Sequence, residues 1–328
     1  MAPAMFHTND DFLNAIWAEP HERTLRLVYA DWLDEHNDPR GELIRAEEEM
    51  RQVPVFADRF WKLKPRRNEL RTAAGTDWCA LMKYGTECEP VFRHGIPDGW
   101  RERWRLIREF TERWHRVPMS DVGGRQSEIA EVEARLRRTL PPSVREWVAF
   151  IHDVQHCRGV IHDECPMGKI WGQPAVSLLL QTEDDYNWAV PYCDLDEVDP
   201  PVQGYHWGDV HTFIPDTENT LREPVTVFAF NYLMGHARGI GGFGTGVEKP
   251  TPLFSDLEST FTVRVKFGNS RFYEADNILV RIDHPNWGAG TYLQLRIARP
   301  VPPEQIPAFL WHYARDGGSF HGICTPPS

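Results

Sequence analysis

Apolar residues in the first third of the chain recur at the three- and four-residue spacing of an α-helix. The first stripe follows N-cap candidates at residues 8–10, ends before Pro20, and contains Phe12, Ala15 and Ile16. The second stripe contains Leu25, Val28, Tyr29, Trp32 and Leu33. Asp38 and Pro39 predict the start of a third helix, because aspartate caps helices and proline is tolerated in a first turn. The buried side of this helix is expected to contain Leu43, Ile44 and Met50.

The corner between the second and third helices is rich in charge. Asp31 and Asp34 lie near the C-terminal end of one helix and Arg40 lies in the first turn of the next, positions where the helix dipole disfavours them. We therefore predict that Arg40 pairs with these carboxylates across the corner. The acids lack the alternating spacing of an EF-hand, so the pattern does not favour a calcium site.

A helix with a tryptophan stripe is predicted near residues 100–116. Its apolar side contains Trp100, Trp104, Ile107 and Trp114, and its other side contains Arg101, Arg105, Arg108 and Arg116. Arginines beside tryptophans can bind single-stranded nucleic acid, but this stripe has core spacing and three glutamates dilute the charge. We therefore predict a core helix and no nucleic-acid partner.

The pattern changes after a glycine-containing break at residues 118–126. Ser127 is predicted to cap one helix, and a second helix begins with a proline in its first turn near residue 142. Short runs typical of strands start at Ala175, with helices predicted at residues 220–236 and 302–315. The runs are AVSLLLQ, NWAVP, TFTVRVKF, RFYEA, NILVRI and TYLQLRIA. This order predicts the α+β class, with a helical region at 1–111 and a domain at 112–328 in which helices flank one sheet.

Composition is that of an ordinary globular protein. Hydrophobic residues make up 41% of the 328 positions and charged residues 26%, which argues against disorder over most of the length. The chain has no run of eighteen apolar residues and no basic leader before an apolar segment, so we predict a cytoplasmic protein that does not enter the membrane. Its six cysteines include no C-x-x-C pair and are expected to be reduced.

Negative charge is concentrated in the second part of the chain. The formal net charge is −12, and residues 112–328 carry 19 Lys and Arg against 28 Asp and Glu. Residues 170–221 carry ten acids and no Lys or Arg. Such a surface repels nucleic acid and anionic lipid, and it attracts a basic protein through long-range electrostatic steering.

Two segments could carry enzyme chemistry. The first, HDVQHCRGVIHDEC at residues 152–165, offers several potential zinc ligands, and His152 and His156 would share a helix face, but it contains neither H-E-x-x-H nor C-x-x-C. The second, a glycine-rich segment at residues 235–246, contains G-x-G-x-x-G without the strand before and helix after that a dinucleotide site requires. We predict a polar loop with no metal and a flexible loop with no cofactor, respectively.

Two stretches resemble known families. Residues 12–47, with RLVYADWLDE and DPRGE, resemble the bacterial repeat-companion domain, and FRHGIP at residues 92–97 is similar to the segment that often follows it. Residues 127–150 and the stretch YNWAVPYCDLDEVDPPV at 186–202 resemble the SUKH superfamily of Smi/Knr-type proteins. This second resemblance implies a mixed sheet with flanking helices that serves as a binding scaffold.

Many bacterial SUKH proteins are immunity proteins that bind and neutralise a toxin, often a nuclease, so the resemblance implies a toxin–antitoxin role without catalysis. The charge pattern independently favours a basic partner. The predicted partner-binding residues are Glu183, Asp184, Asp185, Tyr186, Trp188, Asp194, Asp196, Glu197 and Asp199. Two alternatives stay open: a regulatory or scaffold protein of the same fold, and a metal-dependent enzyme that uses residues 152–165.

Overall fold

The computed structural model describes residues 6–20, 22–84, 90–119, 122–154, 164–181, 186–208, 212–216, 222–235, 242–247, 250–267, 270–283, 291–297 and 305–315. The chain divides into two compact units, residues 1–89 and 90–328. The helical N-terminal region and the following antiparallel sheets confirm the predicted α+β class. Within the described residues, no helix has both the length and the apolar character that a bilayer crossing requires.

The described part of the first unit contains five α-helices. They are α1 (Asn9–Ala18), α2 (Arg23–Glu35), α3 (Arg40–Gln52), α4 (Asp58–Ala74) and α5 (Thr76–Leu81). The predicted start of α1 is confirmed, since Thr8 and Asp11 form a capping box. Leu43, Ile44 and Met50 of α3 are buried, as predicted.

The buried face of α2 differs from the predicted stripe. Tyr29 and Leu33 are buried, but Val28 is exposed and Arg26 is buried instead. The Arg26 guanidinium donates from Nη1 and Nη2 to the carbonyls of Met82 and Pro20, and the buried carboxylate of Glu48, 3.7 Å from Nε, compensates its charge.

The corner between α2 and α3 is stabilised by a different arginine from the predicted one. Arg45 pairs with Asp31 at 2.7 Å and with Asp34 at 2.5 Å, whereas Arg40 pairs with Asp38. Gly41 allows the two helices to approach closely, because a Cβ at this position would lie 2.7 Å from the Ala30 carbonyl oxygen. The motif DPRGE therefore builds a tight helical corner.

The second unit contains six helices in its described part. They are α6 (Trp100–Phe110), which continues into a π-helical turn (Thr111–His115), α7 (Gln126–Leu136), α8 (Pro142–Val154), α9 (Val225–Gly235), α10 (Pro250–Thr260) and α11 (Ala308–Arg315). Ser127 lies inside α7 rather than capping it, because the helix already begins at Gln126. Helix α10 was not predicted.

Among the residues that the structure describes, two antiparallel sheets replace the single sheet that was predicted. The first contains β1 (Ala175–Gln181), β2 (Tyr186–Pro191), β3 (Pro201–Trp207) and β4 (Phe213–Pro215) in that order, with the short β5 (Glu223–Pro224) paired to β3. The second has the order β6 (Gly242–Val247), β10 (Thr291–Ile297), β9 (Ile278–Asp283), β8 (Ser270–Ala275) and β7 (Val263–Phe267). The prediction of a flexible loop at residues 235–246 is thus wrong for residues 242–246, which belong to strand β6 and pair with β10.

Helix α9 connects the two sheets by packing. Phe228 contacts Trp188 of β2 with ring centroids 5.4 Å apart, and Phe230 contacts Phe272 of β8 at 5.7 Å. The other side of the second sheet packs on residues of α10 and α11, including Leu253, Leu257, Leu310 and Trp311. Helix α9 therefore packs against both sheets, and β4 stands at one end of the strand order of the first sheet.

Helix α6 belongs to the second compact unit, which begins at residue 90, whereas the predicted domains divide between residues 111 and 112. Trp104 packs on Trp147 of α8 and donates from Nε1 to Ser143 Oγ at 3.1 Å. Trp104, Ile107 and Trp114 are buried, as the tryptophan stripe predicted. Arg108, expected on the polar side, is buried as well.

Candidate protein-binding surface

The turn between β2 and β3 carries four of the predicted acids. Two of them, Asp196 and Glu197, are exposed beside Val198, which is also exposed. Neither carboxylate forms an ion pair or hydrogen bond with a side chain in the described part of the chain. These two side chains are therefore available to a partner.

The other two acids of this turn are bound within the chain. Asp194 pairs with Arg222, the first Lys or Arg after residues 170–221, which we call the cation-free span. Asp199 accepts hydrogen bonds from the Thr226 backbone N–H at 3.1 Å and from Thr226 Oγ1 at 2.5 Å. Because Thr226 lies in the first turn of α9, Asp199 caps that helix from a distant segment.

We expect Asp199→Ala to lower the free energy of unfolding by about 1–2 kcal/mol, the usual effect of losing an N-cap side chain. The matched variant Asp196→Ala removes an exposed acid from the same turn and should stay within about 0.5 kcal/mol of wild type. Urea denaturation of the two variants measures the difference. Equal losses would contradict the division of this turn into structural and solvent-facing acids.

The predicted aromatic residues Tyr186 and Trp188 share one face of β2. Their ring centroids lie 4.9 Å apart, and both side chains are partly buried. Trp188 donates to Gln181 Oε1, and Tyr186 Oη donates to Asp216 Oδ2 at 2.8 Å. A Cβ on Gly204, the cross-strand neighbour of Trp188, would overlap Tyr186 Oη, so glycine is required there.

The predicted residues do not form one continuous cluster. Tyr186 begins β2 and the acidic turn follows Pro191 at the other end, which separates them by roughly 15 Å at the usual rise of a strand. Glu183, Asp184 and Asp185 lie outside the described residues. We predicted these side chains on one surface because they are close together in the sequence. Spacing along the chain does not show where residues lie across a sheet.

Three exposed apolar side chains form a feature that sequence reasoning missed. Trp171, Trp207 and Ile214 are 74%, 39% and 36% exposed, and we call them the edge patch. Trp207 pairs with Phe213 across β3 and β4, and Ile214 lies in β4 at the edge of the sheet. All three lie in the cation-free span of residues 170–221. That shared location was the one available signal, since tryptophan in isolation predicts burial.

One candidate metal ligand of residues 152–165, Asp153, is engaged in an ion pair instead. Asp153 accepts from Arg125 Nη2 at 2.6 Å and from Nε at 2.9 Å, and it lies 3.9 Å from Arg108. His156, Cys157, His162 and Asp163 lie outside the described residues. In the part of the chain that is described, no three His, Cys, Asp or Glu side chains are placed to bind a metal.

No protein-family model, curated protein or solved structure matches this chain. The resemblances to the repeat-companion domain and to the SUKH superfamily therefore stay predictions that rest on the quoted motifs.

Proposed function

We propose that this chain is a non-enzymatic protein-binding protein of the immunity type. It binds and neutralises a basic toxin, such as a nuclease, through the acidic surface of its first sheet. The observation that carries this proposal is the exposure of Asp196 and Glu197, without side-chain partners among the described residues, in a span that contains ten acids and no Lys or Arg.

Exposed carboxylates attract a basic protein before the two molecules touch. Acids that are paired within the chain contribute little field outside it, whereas exposed and unpaired carboxylates attract cations over about a Debye length. A nuclease must present Lys and Arg to bind phosphate, so its substrate cleft offers the complementary charge. Carboxylates on the inhibitor then accelerate association and disfavour acidic proteins as partners.

The identity of the partner is tested by capture followed by reconstitution. The full chain is immobilised, proteins retained from a lysate of the source cells are identified, and the best candidate is purified and mixed with the chain alone. A basic partner that binds as a purified protein supports the proposal. A stable partner without basic character would favour the regulatory or scaffold alternative instead.

We expect Asp196→Lys/Glu197→Lys to slow association with the basic partner by about tenfold or more and to reduce its salt dependence. The control Glu35→Lys/Glu131→Lys changes the net charge equally at exposed positions outside the acidic span, and it should have a much smaller effect. Stopped-flow association rates at several salt concentrations measure both. Equal rates for the two variants would show that only net charge matters and that this turn does not face the partner.

A further inference from the structure

We propose that the edge patch anchors the partner and that it inserts into an apolar cleft lined by Lys and Arg on a folded basic protein. This inference rests on the proposed function and deepens it, because it names the contact that holds the complex after the acids have steered it together. The edge patch has three properties of an anchor. Its side chains are exposed, hydrogen bonds hold the turn that carries Trp171, and its side chains lie on both faces of one sheet edge.

Among the large hydrophobic side chains of the described residues, Trp171 is the most exposed, at 74%. Large aromatic side chains at this exposure are costly in water and are enriched among the residues that dominate binding energy in interfaces. Its position is supported from within the chain: its carbonyl accepts from Thr212 Oγ1 at 3.0 Å. This bond holds the backbone of the turn, so the segment that carries Trp171 loses little conformational entropy when it binds.

The turn that carries Trp171 requires glycine at the next residue, because its backbone is left-handed there and lies close to Thr212. Gly172 has a φ of +79°, and a Cβ there would lie 2.0 Å from Thr212 Oγ1. Gln173 then donates to the Phe213 carbonyl at 2.8 Å. Glycine and two hydrogen bonds thus fix this turn against β4, at the rim of the first sheet.

Trp207 and Ile214 extend the edge patch around the rim. Trp207 contacts Phe213 with ring centroids 5.0 Å apart, and the two residues are cross-strand partners. Ile214 follows Phe213, so its side chain points to the opposite face of the sheet. Apolar side chains therefore lie on both faces of one sheet edge, and a cleft can contact both faces where a flat surface would contact one.

The edge of β4 is poorly suited to strand addition. Thr212 and Asp216 bond towards β3, through Gly208 N to Thr212 O and Asp216 N to Gly204 O, so Phe213 and Pro215 direct their backbone groups away from it. The Phe213 carbonyl already accepts from Gln173, and proline has no N–H. Recognition at this edge therefore proceeds through side chains and not through an added strand.

Charge favours a basic protein over a second copy of this chain. A symmetric contact would place each acidic surface, including Asp216 beside Ile214, against its own copy. With a net charge of −12 on each chain, that contact is repulsive. A cleft lined by Lys and Arg would instead bring opposite charge to the rim of the edge patch.

Peptide display on the full chain tests this proposal with a defined probe. One library contains disulfide-constrained cyclic peptides and the other contains linear peptides, both of random sequence. We expect the cyclic library to yield peptides that combine Lys or Arg with aromatic or aliphatic residues, and that bind at least tenfold more weakly to Trp171→Ser/Trp207→Ser. The control Trp17→Ser/Val28→Ser removes exposed apolar side chains of the first unit and should leave their affinity unchanged.

Four results of the peptide selection would overturn the proposal: no enrichment, a preference for linear peptides, selected peptides without Lys or Arg, or an affinity that is unchanged in the edge-patch variant. A dimer of the wild-type chain in sedimentation that the edge-patch variant dissociates would overturn it as well. Thermal denaturation checks that both variants fold as wild type does, and the single variant Trp171→Ser replaces the double variant if the double variant does not. A captured basic partner whose binding depends on Asp196 and Glu197 but not on the edge patch would refute the anchor alone. Basic peptides at the edge patch without any basic cellular partner would refute the proposed function alone.

Discussion

Asp153→Ala is expected to lower the free energy of unfolding of the second unit by about 2–3 kcal/mol, because Arg125 loses its two hydrogen bonds to a buried carboxylate. The Asp153 side chain is 1% exposed and that of Arg108 is 4% exposed. Arg108 keeps Glu146 at 2.6 Å, but Arg125 loses both of its hydrogen bonds to Asp153. Urea denaturation followed by tryptophan fluorescence measures the change.

The matched control is Glu128→Ala, which removes the other carboxylate bound to Arg125, at 3.0 Å. Because Glu128 is more exposed, its loss should destabilise the protein far less than the loss of Asp153. Repeating both measurements in EDTA separates an ion pair from a metal ligand. A destabilisation by Asp153→Ala that disappears in EDTA would restore the metal hypothesis for residues 152–165.

Raising the pH from about 4.5 to about 7 is expected to cost the second unit about 3 kcal/mol through one residue, Glu274. Burial raises the pKa of Glu274 from its usual 4.5 to about 7, although hydrogen bonds from the Phe92 and Val91 backbone and Trp114, and the charge of Arg113, oppose this shift. The unfolded chain releases this proton at lower pH than the folded chain does. The contribution of Glu274 to stability is therefore full below pH 4.5, and it declines until the folded carboxyl has ionised near pH 7.

Glu274→Gln should flatten this part of the stability profile, since the amide does not titrate. The amide oxygen can still accept from Phe92 N, which lies 2.8 Å from the carboxylate, while the bond from Trp114 Nε1 at 3.3 Å is lost. The control Glu258→Gln changes an exposed carboxylate of the same unit and should follow the wild-type profile. Parallel wild-type and Glu274→Gln profiles between pH 4 and 8 would contradict the account of this carboxyl.

Local patterns predicted most of the elements that depend on short-range information. The start of α1, the buried side of α3, the tryptophan stripe of α6 and six strand runs are all present, with boundaries shifted by a few residues. These features depend on caps, periodicity and β propensity, which the sequence states directly. The α+β class follows from their order.

The errors arise where distant segments decide the structure. Arg26 is buried because carbonyls 6 and 56 residues away accept its hydrogen bonds, and no helical stripe reveals that. Gly242–Val247 forms a strand because β10 supplies its partner, although its glycines favour a loop in isolation. Residues 90–111 join the second unit because Trp104 packs on α8, a contact that a local pattern cannot show.

The candidate site was predicted in part for the same reason. The cation-free span located the acids, but it could not distinguish Asp196, which faces solvent, from Asp199, which caps α9. That difference depends on Thr226, a residue outside the acidic span that the fold brings to the turn. The edge patch escaped notice because exposure of Trp171 is a property of the folded chain alone.

Neutralisation of a basic toxin by this chain is tested by titrating the activity of the captured partner with the purified chain. We expect activity on nucleic acid to fall to the background level at one equivalent of wild-type chain. More of the Asp196→Lys/Glu197→Lys variant should be needed for the same inhibition. A partner that binds one equivalent of the chain and keeps its full activity would show that binding does not neutralise it.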